Sequence, residues 1–163
     1  QYLKMKNSKY PIIWLTGQPG SGKTTLSNEL LKIISNFEDN INVLQIDGDD
    51  LRHLTDNKDY SKEGRYSNIR LGQNIALFSQ NKGSLVIVSL VAPYLDLREE
   101  FKQRTTVCEF YIYTEKIRGR EHFFSKDYKK PEHNFFPIDT TVKTVKESAD
   151  EIFAIYRKMA TLA

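Results

Sequence analysis

The stretch GQPGSGKTT, Gly17 to Thr25, follows directly on the apolar run IIWLT. Gly17, Gln18, Pro19, Gly20, Ser21, Gly22, Lys23 and Thr24 fit the pattern G-x-x-x-x-G-K-[ST]. A loop of this kind needs a strand to deliver the chain and a helix whose first amides point at an anion, so it admits few folds. The glycines let the backbone turn its N–H groups inward around a β-phosphate. Lys23 reaches the β and γ phosphates, the Thr24 hydroxyl ligates magnesium, and the helix N-terminus adds its dipole. A plain glycine turn ahead of a helix would need neither Lys23 nor Thr24. Residues Gly17 to Thr25 are therefore expected to bind ATP or GTP together with Mg2+.

Downstream, apolar runs alternate between strand and helix spacing. Ile12 to Thr16 reads as a strand; Lys23 to Ile34, with Leu26, Leu30, Leu31 and Ile34 in phase, as a helix; Asn42 to Asp47 as a second strand. A polar stretch, Gly48 to Arg65, follows. Ile69, Ile75, Leu77 and Phe78 predict a helix from about Ser67 to Asn81, closed by Gly83 ahead of the strand SLVIVSLV. The helix LDLREEFKQR and the strand CEFYIYT come next. Ile117 to Thr141 is polar, basic and aromatic and reads as an extended loop over a site, with NFFPID as loop packing. A last helix is expected from about Thr144 to Met159, its stripe formed by Val145, Ala149, Ile152, Phe153 and Tyr156. The expected fold is one α/β domain over residues 1–163: a parallel, P-loop NTPase-like sheet flanked by helices, with a short lid loop. Ligands then belong at the carboxyl ends of the strands. With Met5 a candidate initiator, the first few residues are expected to be disordered or foreign to the native chain.

The second strand ends in DGDD, followed by Arg52 and His53. In a parallel sheet that end lies beside the phosphate loop, where a carboxylate can orient an attacking hydroxyl or hold a magnesium-bound water. Asp47, the last strand residue, is assigned the hydroxyl, and Asp49 is assigned to magnesium or substrate. The third strand ends in Ser89 with no terminal Asp, which weighs against a motor or switch ATPase. Arg65 and the run Asn68-Ile69-Arg70 offer cationic forks for acceptor phosphates or sulfates, with a solvated basic face as the plainer reading.

The formal charge of +3 gives no basis for nucleic-acid binding, and no apolar stretch approaches the ~18 residues of a membrane helix. The one cysteine, Cys108, lies in an apolar strand and is expected to be a buried small hydrophobe. No apolar signal segment opens the chain, so a cytoplasmic location is expected. His53, His122 and His133 are scattered without metal-ligand spacing.

TGQPGSGKTTLSNEL, IDGDDLRH, NKDYSKEGRYSNIR, NKGSLVIVSLVAPYLDLRE and TVKESADEI resemble, in that order, the adenylyl-sulfate (APS) kinase family over nearly the whole chain. That family transfers the ATP γ-phosphoryl to the 3′-hydroxyl of a nucleotide whose 5′-phosphate carries a sulfate. The resemblance implies that Asp47 orients the 3′-hydroxyl, that Asp49, Arg52, Arg65 and Asn68 hold the acceptor, and that Pro93 and Tyr94 line its pocket. It also implies a homodimer. The departures fall on the acceptor side. NKDYS stands where the family commonly reads N-K-D-L-G-F-S, which leaves Tyr60 to take the role of the aromatic on the base. Leu71, Ala92 and Leu95 stand where the family has Arg, Ser and Arg. The long basic lid is cut down to EKIRGREHFFSKDYKKPE. Donor parts kept and acceptor parts changed suit the same 3′-phosphorylation on another nucleotide, and the related cytidine diphosphoramidate kinases of capsule polysaccharide modification look like the nearest fit.

Within the shortened lid, Arg118, Arg120, Lys126 and Lys129 can neutralise a transferring phosphoryl, and Phe123, Phe124 or Tyr128 can stack on a base. The competing readings are a true APS kinase, a shikimate- or gluconate-type kinase, a non-catalytic nucleotide-binding module, and a switch GTPase. The aromatics and the Asn-Ile-Arg helix speak for a nucleotide acceptor, Lys23, Thr24 and Asp47 speak for catalysis, and NKDY lacks the spacing of a guanine-reading motif.

Overall fold

The computed structural model describes residues 10–116, 118, 119, 121 and 125–160. Strand β1 (Ile12–Thr16) passes through the phosphate loop into helix α1 (Lys23–Phe37), which leads to β2 (Val43–Asp47). Two helices follow, α2 (Gly48–Thr55) and α3 (Lys62–Asn81), then β3 (Leu85–Ser89), α4 (Leu95–Arg104), β4 (Val107–Tyr113), β5 (Phe135–Asp139) and α5 (Val145–Met159). The strands form one parallel sheet in the order β2-β3-β1-β4-β5.

Because β1 is central and buried on both faces, its side chains alternate between two cores. Ile13 and Leu15 pack with α1 and α5, against Leu30, Ile34, Ile152 and Tyr156. Ile12 and Trp14 face α3 and α4, with Ile69, Leu77, Leu97 and Phe101. Register then sets the level of the site. Asp47 pairs with Ser89, and Ser89 with Leu15, so the ends of β2 and β3 sit beside the start of the phosphate loop.

The polar stretch Gly48 to Arg65 holds a helix that apolar spacing alone does not reveal. Asp47 caps α2 by accepting the Asp50 N–H at 2.9 Å, and Asp49 and Asp50 occupy its first turn, where carboxylates favour the helix dipole. The next helix begins at Lys62 rather than Ser67, capped by Ser61 on the Gly64 N–H. Gly64 is required by close approach: a Cβ there would lie 2.3 Å from the Asp59 carbonyl oxygen. The segment Ile117 to Thr141 is not all loop, since NFFPID supplies β5. Pro137 disguises it, yet an edge strand tolerates a residue that cannot donate to the ladder. Phe78 and Val145, placed by spacing on buried stripes, are instead exposed. Cys108 is buried, and burial pushes its thiol up to about 11.

Candidate active site

Gly22, the residue before α1, adopts φ 103°, a left-handed conformation open to glycine, and no side chain caps the helix behind it. The first amides of α1 are thus left for a ligand. Lys23 is buried, its Nζ donating to the carbonyls of Gly17 at 2.9 Å and Gln18 at 3.0 Å, so the ammonium sits inside the loop's own curve. Thr24 and Thr25 lie exposed on the first turn. Together with Asp47 and Arg118 these residues border a cavity of about 510 Å³. Ser89 Oγ, buried at the end of β3, borders it too and has no hydrogen-bond partner among the described residues.

A second cavity, about 630 Å³, opens on the other side of Asp49. Asp49, Arg52, Tyr60, Arg65, Asn68 and Pro93 all line it, so six acceptor candidates scattered over 45 positions converge. Asn68 is buried with its Oδ1 unpartnered among the described residues. Arg52 is held by the carbonyls of Asn57 and Asp59 and lies 4.0 Å from the Tyr60 ring centroid. The Asp59 carboxyl is held below the usual range by hydrogen bonds from Ser61, which stiffens the same turn. The two cavities share Pro19, Gly48, Asp49, Leu90 and Val91 as a common wall.

Tyr94 does not line the acceptor cavity. Its side chain is buried with the ring 4.5 Å from that of Tyr66, so it braces α3 against α4 instead. Phe123, Phe124 and Arg120 lie outside the described residues. Arg118 donates to the carbonyls of Ser21 at 3.1 Å and Thr140 at 3.0 Å, which stations it against the phosphate loop. The Gln18 side chain turns away from the loop it belongs to and forms a reciprocal pair with the Ser125 backbone, at 3.1 and 2.9 Å.

Two residues of the site, Ser125 and Asp127, carry no mark in the sequence. Ser125 and Asp127 line the acceptor cavity, and Asp127 stands 4.0 Å from Arg65. Tyr128 meets the Thr16 hydroxyl at 2.9 Å, and its phenol is pushed up to about 12 by burial. Only the basic and aromatic character of the segment pointed to this region, and that named Lys126 and Tyr128 without Asp127.

Residues 9–130 match the adenylylsulphate kinase family. Adenylyl-sulfate kinase of Bacillus velezensis is 34% identical over 112 residues, 68% of this chain and 55% of that protein, so the chain spans about half the length of the Bacillus relatives it matches. The enzyme of the same name from Staphylococcus epidermidis is 31% identical over an alignment of 166 residues, covering 88% of this chain and 82% of the relative. Among solved structures, the APS kinase CysC of Mycobacterium tuberculosis in complex with AMPPNP and APS superposes with a TM-score of 0.76 over 90% of this chain and 96% of that one, at 23% identity. That likeness speaks for the fold. With three quarters of its length matched and with the phosphate loop, the DGD corner and the Asn-Ile-Arg helix facing one another, the chain belongs to the adenylylsulphate kinase family.

Proposed function

We propose that the protein transfers the γ-phosphoryl of ATP to the ribose 3′-hydroxyl of a nucleotide with a substituted 5′-phosphate. The observation that carries this reading is the shared wall of the two cavities, with Asp47 on the donor side and Asp49 at the seam. An in-line displacement needs donor and acceptor oxygens held face to face across such a seam. Asp47 Oδ1 is engaged by the Asp50 N–H, which fixes the carboxylate and leaves Oδ2 to take the proton of the attacking hydroxyl. The new bond forms between that oxygen and the γ-phosphorus as the bond to the β–γ bridging oxygen breaks. Lys23 and Arg118 supply positive charge beside the transferring group. The narrow cleft beside Tyr111, Tyr113 and Arg118, about 160 Å³, suits the donor's base.

The donor cavity offers oxygen ligands suited to magnesium: the Thr24 hydroxyl, the Asp49 carboxylate and Ser89 Oγ, which has no partner among the described residues. When bound with the nucleotide, the ion would neutralise charge on the β and γ oxygens.

Two acceptors compete. The relatives' names favour adenylyl sulfate. The altered acceptor residues suit cytidine diphosphoramidate, and a carboxylate beside Arg65 can accept the N–H of a phosphoramidate, a donor that an equally charged sulfate lacks. The chemistry of the cavity leads us to prefer the cytidine compound. The test is ADP release from Mg-ATP with each acceptor in parallel, with mass analysis for one added phosphoryl group. Turnover with the cytidine compound alone supports the preferred acceptor, turnover with adenylyl sulfate alone replaces it, and no turnover with either overturns the kinase reading. A homodimer, implied by the family, is checked by sedimentation.

A further inference from the structure

Behind the acceptor cavity one guanidinium gathers four segments of chain. Arg98, on α4, is 3% exposed, and its Nε donates to Glu109 Oε2 on β4 at 3.1 Å. Glu109 is itself buried, and its second oxygen takes the Lys102 ammonium at 2.8 Å. The two remaining arms of Arg98 go elsewhere: Nη1 donates to the Ala92 carbonyl and Nη2 to the Lys129 carbonyl. The guanidinium also lies 5.3 Å from the Tyr128 ring centroid.

The two carbonyl acceptors, on Ala92 and Lys129, belong to the chain that shapes the cavity. Ala92 lines it and sits at φ 42°, a left-handed conformation that is strained for a non-glycine residue and persists where surrounding bonds impose it. Lys129 ends the short segment whose Ser125, Lys126 and Asp127 form the opposite wall, and its N–H donates to the Pro93 carbonyl at 2.9 Å. The same segment is tied to the phosphate loop through Gln18 on Ser125 and to the end of β1 through Thr16 on Tyr128. Arg98 is absent from the lining of either large cavity, so any effect on substrate passes through the residues it holds. A planar fork with five N–H donors can serve a carboxylate and two carbonyls at fixed angles, which a lysine cannot.

We propose that Arg98 is a positioning residue for the acceptor: its guanidinium locks the segment 125–129 against the Ala92–Pro93 wall, so that the two sides of the acceptor cavity keep a fixed separation. The proposal rests on the kinase reading above. Its test compares wild type with Arg98→Lys, which preserves a charge opposite Glu109 and gives up the fork. Amides within 125–131 should exchange with deuterium at least about tenfold faster while those of α1 do not change, and acceptor KM should rise roughly 10- to 100-fold with ATP KM unaltered, as expected when binding groups are displaced by about 1 Å. Uniformly faster exchange across the core with both KM values unmoved would make Arg98 a plain core residue and overturn the proposal. Should Arg98→Lys not fold, Arg98→Met combined with Glu109→Gln removes the buried pair together, leaves no orphan carboxylate, and is held to the same criteria. If wild type turns over neither acceptor, the kinase reading fails by itself, and protection of residues 125–131 in wild type against the variant decides the anchoring.

Discussion

The donor and acceptor cavities meet at Asp49 but are built in opposite ways. The donor side has a contiguous heart: Gly17 to Thr25 make the cradle, Lys23 closes it on its own carbonyls, and Asp47, Ser89 and Arg118 only border it. Such a cradle tolerates little change, because each of its residues serves the shape of one backbone loop. The acceptor side is assembled from α2, α3, the turn after β3 and the segment 125–129, held together by side-chain contacts such as Arg52 on Tyr60 and Arg98 on Lys129. A site of that kind can exchange one wall without losing the others. The comparison fits the departures read from the sequence, at Leu71, Ala92, Leu95 and the turn around Tyr60, which the resemblance assigns to the acceptor side.

The sharpest test of the comparison lies at the seam. Asp47→Asn keeps the cap of α2, since Asn accepts the Asp50 N–H as well as Asp does, and removes only the proton acceptor. Its kcat should fall by about 10² to 10⁴-fold, the usual worth of a general base, with ATP KM unchanged in steady-state assays. Wild-type turnover in that variant would take Asp47 out of the mechanism. Lys23→Met should come next, lowering kcat by about 10²-fold, as removal of one charge-stabilising donor does. It should also weaken ATP in equilibrium binding and leave acceptor affinity alone. Equal loss on both substrates would mean that the loop's shape, and not the donor's charge, depends on Lys23.

The same contrast decided what could be read from the amino acids. The strand, loop and helix of residues 12–34 were legible because the motif fixes geometry within a dozen positions, and α4 was placed to the residue. Asp49, Arg65 and Asn68 are legible from the DGDD corner and the basic start of a helix, Arg52, Tyr60 and Pro93 only through family likeness, and the convergence of all six needs the fold. Tyr94, expected in the pocket lining, packs on Tyr66 instead, a contact that depends on how α3 crosses α4 and that no local spacing encodes. Helix α2 was hidden by its polarity, with Leu51 as its one buried residue, although the Asp47 cap and the acidic first turn were there to be read. Asp127 could not have been found, since nothing near it in sequence says that it would face Arg65.

Arg65 probes the acceptor side alone. Its pair with Asp127 is wide, at 4.0 Å, and both groups are solvated, so the pair itself contributes little to stability. Arg65→Ala should therefore melt close to wild type while acceptor KM rises roughly 10- to 100-fold, the worth of one hydrogen bond to a charged group. A change confined to ATP KM would put Arg65 on the donor side and break the comparison. Asp127→Asn sharpens it: loss of the charge-assisted N–H contact should raise KM for the cytidine compound a few fold relative to KM for adenylyl sulfate, and an equal change for both would remove Asp127 from acceptor choice.

The smallest expected effect belongs to Tyr60, and it tests whether the shortened turn still reads a base. The ring is 64% exposed, yet it is not loose, because Arg52 lies against one face at 4.0 Å and is held in turn by the carbonyls of Asn57 and Asp59. One face is thus spoken for, and a base can stack only on the other or displace the guanidinium. Stacking on one exposed face sits at the low end of aromatic contributions, about 1 kcal/mol, so Tyr60→Ala should raise acceptor KM roughly fivefold with kcat unchanged. Tyr60→Phe keeps the ring and should match wild type. If Tyr60→Phe is as damaged as Tyr60→Ala, the hydroxyl and not the ring makes the contact, and the base must be held elsewhere. If neither changes KM, the turn from Asn57 to Ser61 serves only to seat Arg52, and acceptor recognition lies entirely with Arg65, Asn68 and the segment 125–129.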